Sequence, residues 1–159
     1  MDFDLLDLRT AAGKEYWVHL RLGNTLLYLD MDKEEKPCRV KVASSVEPGV
    51  EDATKAVMRA GRMFQAAEDA LSIANRDNRA ALEKRLDQLE RESEKCLTAF
   101  LVKAIKGWEN IEQGGKELKF SPEALEDLAQ PKGPLFRMAA TIAEDSAKAQ
   151  SPFAKADSA

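Results

Sequence analysis

The sequence predicts an α+β fold, predominantly helical, with a small antiparallel sheet of about three strands near the N-terminus followed by about four helices. Between residues 15 and 43 apolar side chains recur at every second position, the period of a half-buried strand. From residue 50 onward they recur at every third or fourth, the period of an amphipathic helix. Breaks at Pro48-Gly49, Asn75, Gly107, Ser121-Pro122 and Pro131 to Pro134 cut the second half into separate helices. We therefore read residues 1–45 as a strand-rich part, 46–147 as a helical part and 148–159 as a disordered tail, all within one compact domain.

Residues 1–9 mix Phe3, Leu5, Leu6 and Leu8 with acids, too short a run to classify beyond an edge strand or an arm that docks on a partner. From Glu15 the alternation sharpens. Tyr16, Val18, Leu20 and Leu22 fall on one side of a strand, with Trp17, His19 and Arg21 on the other. Gly23-Asn24 tolerates positive φ at both residues and signals a hairpin into a second strand, residues 25–29. A charged loop, 30–36, leads through Pro37 to a third strand, where Cys38, Val40 and Val42 alternate with Arg39, Lys41 and Ala43. A sheet this small has one apolar face that needs a helix or another subunit to cover it.

Residues 44–49, with Pro48 and Gly49, read as a linker before the first helix, about 50–74, which has Glu51-Asp52 at its start, apolar surface at Val57, Met58, Met63, Phe64 and Leu71, and many small residues that permit close helix approach. Asn75, Asp77 and Asn78 mark a turn, and a second helix runs from about 79 to 106. In it Leu82, Leu86, Leu89, Ser93, Cys96 and Phe100 follow alternating four-and-three steps, the seam spacing of a coiled coil or a long helical hairpin. The charged run between them, EKRLDQLERESEK, reads as a solvated face. Gly107 is expected to end this helix in the left-handed conformation, with Lys103 and Lys106 complementing the terminal dipole and Trp108 on irregular chain beyond it. Gly114-Gly115 is a tight turn. Ser121 caps the next helix, Pro122 suits its first position, and Leu125 and Leu128 face inward. Two prolines and Gly133 then stop it before a last amphipathic helix bearing Leu135, Phe136, Met138 and Ile142.

The segment VKAIKGWENIEQGGKELKFSPEALEDL resembles one found in tail assembly chaperones of long-tailed, siphovirus-type phages. The matching positions are Lys106, Gly107, Trp108, Gly115, Leu118, Phe120, Ser121, Pro122 and Leu125, a packing and capping motif without a reactive group. The turn Glu112-Gln113-Gly114-Gly115 departs from it in being less acidic. The resemblance implies a short strand-rich part followed by a helical part, covering most of the chain. It also implies a non-enzymatic protein that binds the tape measure protein and helps the tail tube protein polymerise around it. Such a protein acts in the host cytoplasm, is absent from the mature virion, and gains avidity by forming a homo-oligomer. A longer frameshifted form with an added C-terminal domain is often made in that family.

Composition narrows the other classes. A net charge of −4 and a pI near 5.2 give no electrostatic footprint for nucleic acid or an anionic membrane. No apolar run approaches the roughly 20 residues of a spanning helix, and MDFDLLDLR is acidic where a signal peptide is basic. The expected setting is the cytoplasm. Cys38 and Cys96 lack CxxC or histidine neighbours and read as free thiols in a reducing compartment. His19, the only histidine, has neither a serine nucleophile nor a carboxylate cluster beside it in sequence. No phosphate loop, dinucleotide fingerprint or paired-carboxylate spacing occurs, so no cofactor, metal or catalytic residue is assigned and no enzyme activity is expected.

Trp108 has two readings, a core plug against Phe120 and Leu125 or an interface anchor. The candidate partner-binding residues are Trp108, Phe120, Leu125, Leu128, Leu135, Phe136 and Met138. Two other functions remain at this point: a structural head-tail or tail component, and a generic helical adaptor dimerising through the 82–100 seam.

Overall fold

A computed structural model describes residues 13–153; the reading of residues 1–9 as an edge strand or docking arm lies outside them. The chain begins with β1 (Glu15–His19), β2 (Arg21–Leu22), β3 (Thr25–Leu26), β4 (Tyr28–Asp30), β5 (Glu35–Pro37) and β6 (Arg39–Ala43). Two long helices follow, α1 (Pro48–Ser72) and α2 (Arg76–Ala104), then β7 (Ile105–Glu109), β8 (Glu112–Gln113) and β9 (Lys116–Glu117). The chain closes with α3 (Pro122–Leu128), α4 (Pro134–Arg137) and α5 (Ala139–Gln150). The fold mixes helix and strand, with a small antiparallel sheet near the N-terminus followed by helices.

That sheet is not the expected meander of three consecutive strands. Its order is β1-β6-β7, so the third strand comes from the chain beyond α2. The segment after Leu20 leaves the sheet instead of extending it. Leu20 N–H donates to the Cys38 carbonyl at 2.8 Å, Cys38 N–H to the Leu27 carbonyl at 2.9 Å, and Leu27 N–H to the Leu20 carbonyl at 2.9 Å. This ring of backbone bonds is a three-way junction. From it radiate the pairs β1/β6, β2/β3 and β4/β5. Leu22 is consequently exposed, although its alternation with Val18 and Leu20 placed it on the buried face. The loop expected at 30–36 is a strand return in its second half, with positive φ at Glu34 and Lys36.

The helix stop also differs. α2 ends at Ala104, and Ile105, its C-cap residue, is already extended. Gly107 does not take a left-handed φ; it lies in β7 opposite Lys41, and Trp108, in β7 opposite Val40, is not on irregular chain. Lys106 is the extra residue where the register shifts between Lys41 and Val42, which lets both Ile105 and Trp108 face inward. Pairing with β6 outweighs the helix-stop signal, because two large apolar groups gain a buried face there.

Local signals fare better where they are caps. Asn75 Oδ1 accepts the Asn78 amide at 3.1 Å and opens α2 at Arg76, so Asp77 and Asn78, expected in a turn before a helix starting near 79, are already in its first turn. Ser121 Oγ accepts the Ala124 amide at 3.1 Å and opens α3 with Pro122 in its first turn. One core runs between the sheet's inner face (Val18, Val40, Val42, Ile105, Trp108), the end of α2 (Leu101, Ala104) and helices α3 to α5 (Leu125, Leu135, Ile142). On the outer face Trp17 has the cations of Arg39 and Lys41 close to its ring, each 5.1 Å from the centroid.

Helices α1 and α2 form an antiparallel hairpin, and the 82–100 seam is half-buried or buried against α1 of the same chain. Among the described residues, Ala60 and Leu89 are the only apolar side chains buried outside the main core, so the far half of the hairpin is a two-helix arm. Helix α5 packs along β1, held by Arg21, whose guanidinium reaches Asp145 at 2.7 Å and Glu144 at 3.1 Å. α5 continues to Gln150, past Lys148 where disorder was expected. Gln150 Oε1 accepts the Ser45 amide at 2.8 Å and its Nε2 donates to Ser146 Oγ at 2.7 Å.

Candidate functional site

A largely apolar cleft of about 530 Å3 opens over the three-way junction. Three elements build it. Its floor is the three-way junction, with Leu20, Leu27 and Cys38; one wall is the β8/β9 hairpin with its flanking Ile111 and Leu118; the other runs from Leu128 through the turn to Leu135 and Met138.

Each wall has a local cause. Gly114 and Gly115 have φ of 61° and 79°, the pattern of a tight I′ turn, so β8 and β9 close as a two-residue hairpin and Leu118 N–H donates to the Ile111 carbonyl at 2.7 Å. Asn110, itself at φ 58°, fastens this hairpin to the junction: its Nδ2 donates to the Pro37 carbonyl at 2.9 Å, and its carbonyl accepts the Cys38 thiol at 3.0 Å. The opposite wall turns at Gln130 to Pro134, where Gly133 passes so close to the preceding helix end that a Cβ there would sit 2.5 Å from the Leu128 carbonyl oxygen. Thr98 Oγ1 donates to the Ala129 carbonyl at 2.8 Å and ties that helix end to α2.

The cleft is chemically quiet. Burial, and secondarily the charge of Glu112, pushes the Cys38 thiol up from its ordinary value, which favours the thiol over the thiolate. His19 spends Nε2 on the Leu27 carbonyl at 2.8 Å and packs edge-on against Tyr28. Both cysteines are free and half-buried. No group of three or more His, Cys, Asp or Glu capable of holding a metal ion occurs among the described residues. Charge sits only at the rim, on Glu112, Asp127 and Lys132.

The residues expected to bind a partner divide between core and cleft. Trp108 is the core plug: it is 8% exposed, donates Nε1–H to the Leu118 carbonyl at 2.7 Å and stands edge-on to Phe120, with ring centroids 4.9 Å apart. Leu125 is likewise buried, and Phe120 is half-buried against the core. Leu128, Leu135 and Met138 are core residues that also line the cleft. Phe136 lies elsewhere, in a small depression with Phe64 and Leu97 between the arm and α4. Sequence reasoning missed Leu20, Leu27, Ile111 and Leu118. The last two were signalled by their symmetrical placement about Gly114-Gly115; the first two depend on the junction, for which the sequence carries no local mark.

No helix among the described residues is long and apolar enough to cross a membrane. Compared with models of known protein families, with curated proteins and with solved structures, the chain finds no match.

Proposed function

We propose that the protein is a non-enzymatic tail assembly chaperone of a long-tailed phage. It binds the tape measure protein in the host cytoplasm, promotes polymerisation of the tail tube protein around it, and leaves before the virion is complete. The observation that carries this reading is the open apolar cleft on which Leu128, Leu135 and Met138 converge. A cleft with an apolar floor, a charged rim and no reactive group suits the capture of an apolar segment that would otherwise aggregate. One position of the motif that resembles the chaperone family, Leu118, lines this cleft, where Trp108 holds it, and Ser121-Pro122 starts the helix that ends in Leu128.

Co-expression with a tape measure protein tests the reading. The expected result is a tape measure protein that is soluble with this chain and insoluble without it; equal insolubility in both cases overturns it. Proteomics of purified particles adds a second check, since this chain should be missing from them.

A further inference from the structure

At the start of β1 the inner face of the sheet opens into a largely apolar pocket of about 320 Å3. Tyr16 and its partner across the sheet, Val42, line it with Val50 of α1, Phe100 of α2, and Ala143 and Ala147 of α5. The two alanines are exposed and stand four residues apart on one face of α5, so the helix offers a slot there and no filling side chain. Phe153, two residues beyond the lining Ser151, does not fill the pocket, since it is 73% exposed. A cavity of roughly 150 Å3 takes a benzene-sized group, so this one has room for about two apolar side chains.

The chain enters the described structure beside this pocket. The Lys14 carbonyl accepts the amide of Ser44, a lining residue, at 3.0 Å, and Gly13, at φ 85°, turns the backbone just before β1. Ahead of that turn the sequence carries Phe3, Leu5, Leu6 and Leu8, four large apolar side chains in six positions. We propose that this segment is the occupant: its apolar side chains fill the pocket and close the corner between β6, α1 and α5 of the same chain. Reach allows it, because Leu8 is five residues from Gly13, a span of at most roughly 17 Å. The tether selects it over a partner's segment, since a segment joined this closely meets the pocket at an effective concentration in roughly the millimolar range. Size agrees as well, a Leu or Phe side chain against Ala143 and Ala147 setting large against small.

This inference stands apart from the chaperone reading, because the pocket lies at the opposite end of β1 from the junction that floors the cleft. Nuclear Overhauser spectroscopy on the full chain, with leucine and valine methyls labelled, tests it directly. Cross-peaks are expected from the methyls of Leu5, Leu6 or Leu8 to the ring protons of Tyr16 and Phe100. Ala147→Trp, made at an exposed position of the lining, should fill the pocket and abolish them, with circular dichroism confirming that the helices are intact. Urea unfolding adds a second readout: the pair Leu5→Asp and Leu8→Asp should lower the midpoint of the wild type and leave that of Ala147→Trp unchanged. No such cross-peaks, cross-peaks that survive Ala147→Trp, or cross-peaks from the Phe153 ring in their place would overturn the proposal. So would contacts found only between labelled and unlabelled chains in a mixed sample, which would give the pocket to a second copy.

Discussion

The Trp108 indole N–H donates to the Leu118 carbonyl at 2.7 Å, closing the segment between them onto β7. The bond lies under the hairpin wall of the cleft, in a position too buried for water to replace it freely. Trp108→Phe keeps an aromatic ring but removes the donor and part of the indole's volume, so it should cost about 1–3 kcal/mol, chiefly for the carbonyl left unpaired. Trp108→Ala removes the ring as well and should cost about 3–5 kcal/mol. Urea unfolding measures both, and an unchanged midpoint for Trp108→Phe would deny the bond a structural role.

Gly133 is required by space and not by its backbone angle. Its φ is −71°, ordinary for any residue, yet a Cβ would stand 2.5 Å from the Leu128 carbonyl oxygen and 2.8 Å from that of Gln130. Backbone oxygens cannot swing aside, so Gly133→Ala must push the turn open. The expected loss is about 1–3 kcal/mol, as for other overpacking changes. Gly61, with open space around its Cβ position on an exposed helix, is the control. Gly61→Ala should stabilise by about 0.5–1 kcal/mol.

The α5 clamp should be visible in acid. Glu144 is held below the ordinary carboxylate value, first by its hydrogen bond to Lys148 and then by Arg21. A carboxylate lowered in the folded state stabilises it above the unfolded pKa and loses that contribution as pH falls through the folded value. The stability of the wild type should therefore decline as pH drops below about 4.5, and Glu144→Gln should flatten that limb. Denaturation midpoints followed down the acid range check it; parallel curves would show that the Glu144 pairs with Lys148 and Arg21 are uncoupled from folding.

The far half of the arm should open before the body does. Beyond Leu89 it has two helices and half-buried contacts, whereas Val40, Leu101 and Ala104 are fully enclosed. Amide exchange at low protein concentration should be faster over residues 62–86 than over β6 or the end of α2. Uniform protection would mean that the arm folds and unfolds with the core.

What was legible in the sequence is what depends on neighbours along the chain. Ser121-Pro122 and Gly114-Gly115 each act within a few residues, and the cap and the turn form where their chemistry places them, whereas α2 starts at Arg76, about three residues before the start expected near 79. The long α1–α2 hairpin was legible for the same reason, through its four-and-three repeat. What was not legible depends on distant pairing. Residues 105–109 read as a helix end, because nothing local says that Val40 and Val42 wait for Trp108 and Ile105 across the whole hairpin. The junction at Leu20, Leu27 and Cys38 is invisible for a related reason: backbone groups make it, and those are the same in every residue. The cleft inherits both gaps: the sequence singled out Leu128, Leu135 and Met138 of its wall as apolar and inward-facing, and left the junction that makes its floor unmarked.

The most direct test of the chaperone account is recovery of a partner through the cleft. Gln113 lines its mouth from an exposed position on β8, so Gln113→Trp should fill the opening and leave the fold unchanged. Tagged wild type and Gln113→Trp would be purified from cells expressing the neighbouring tail genes, and the co-purifying proteins identified by mass spectrometry. The account expects the tape measure protein with the wild type and its loss with the variant. Recovery of the wild-type chain without that protein, or equal recovery by both, would contradict it.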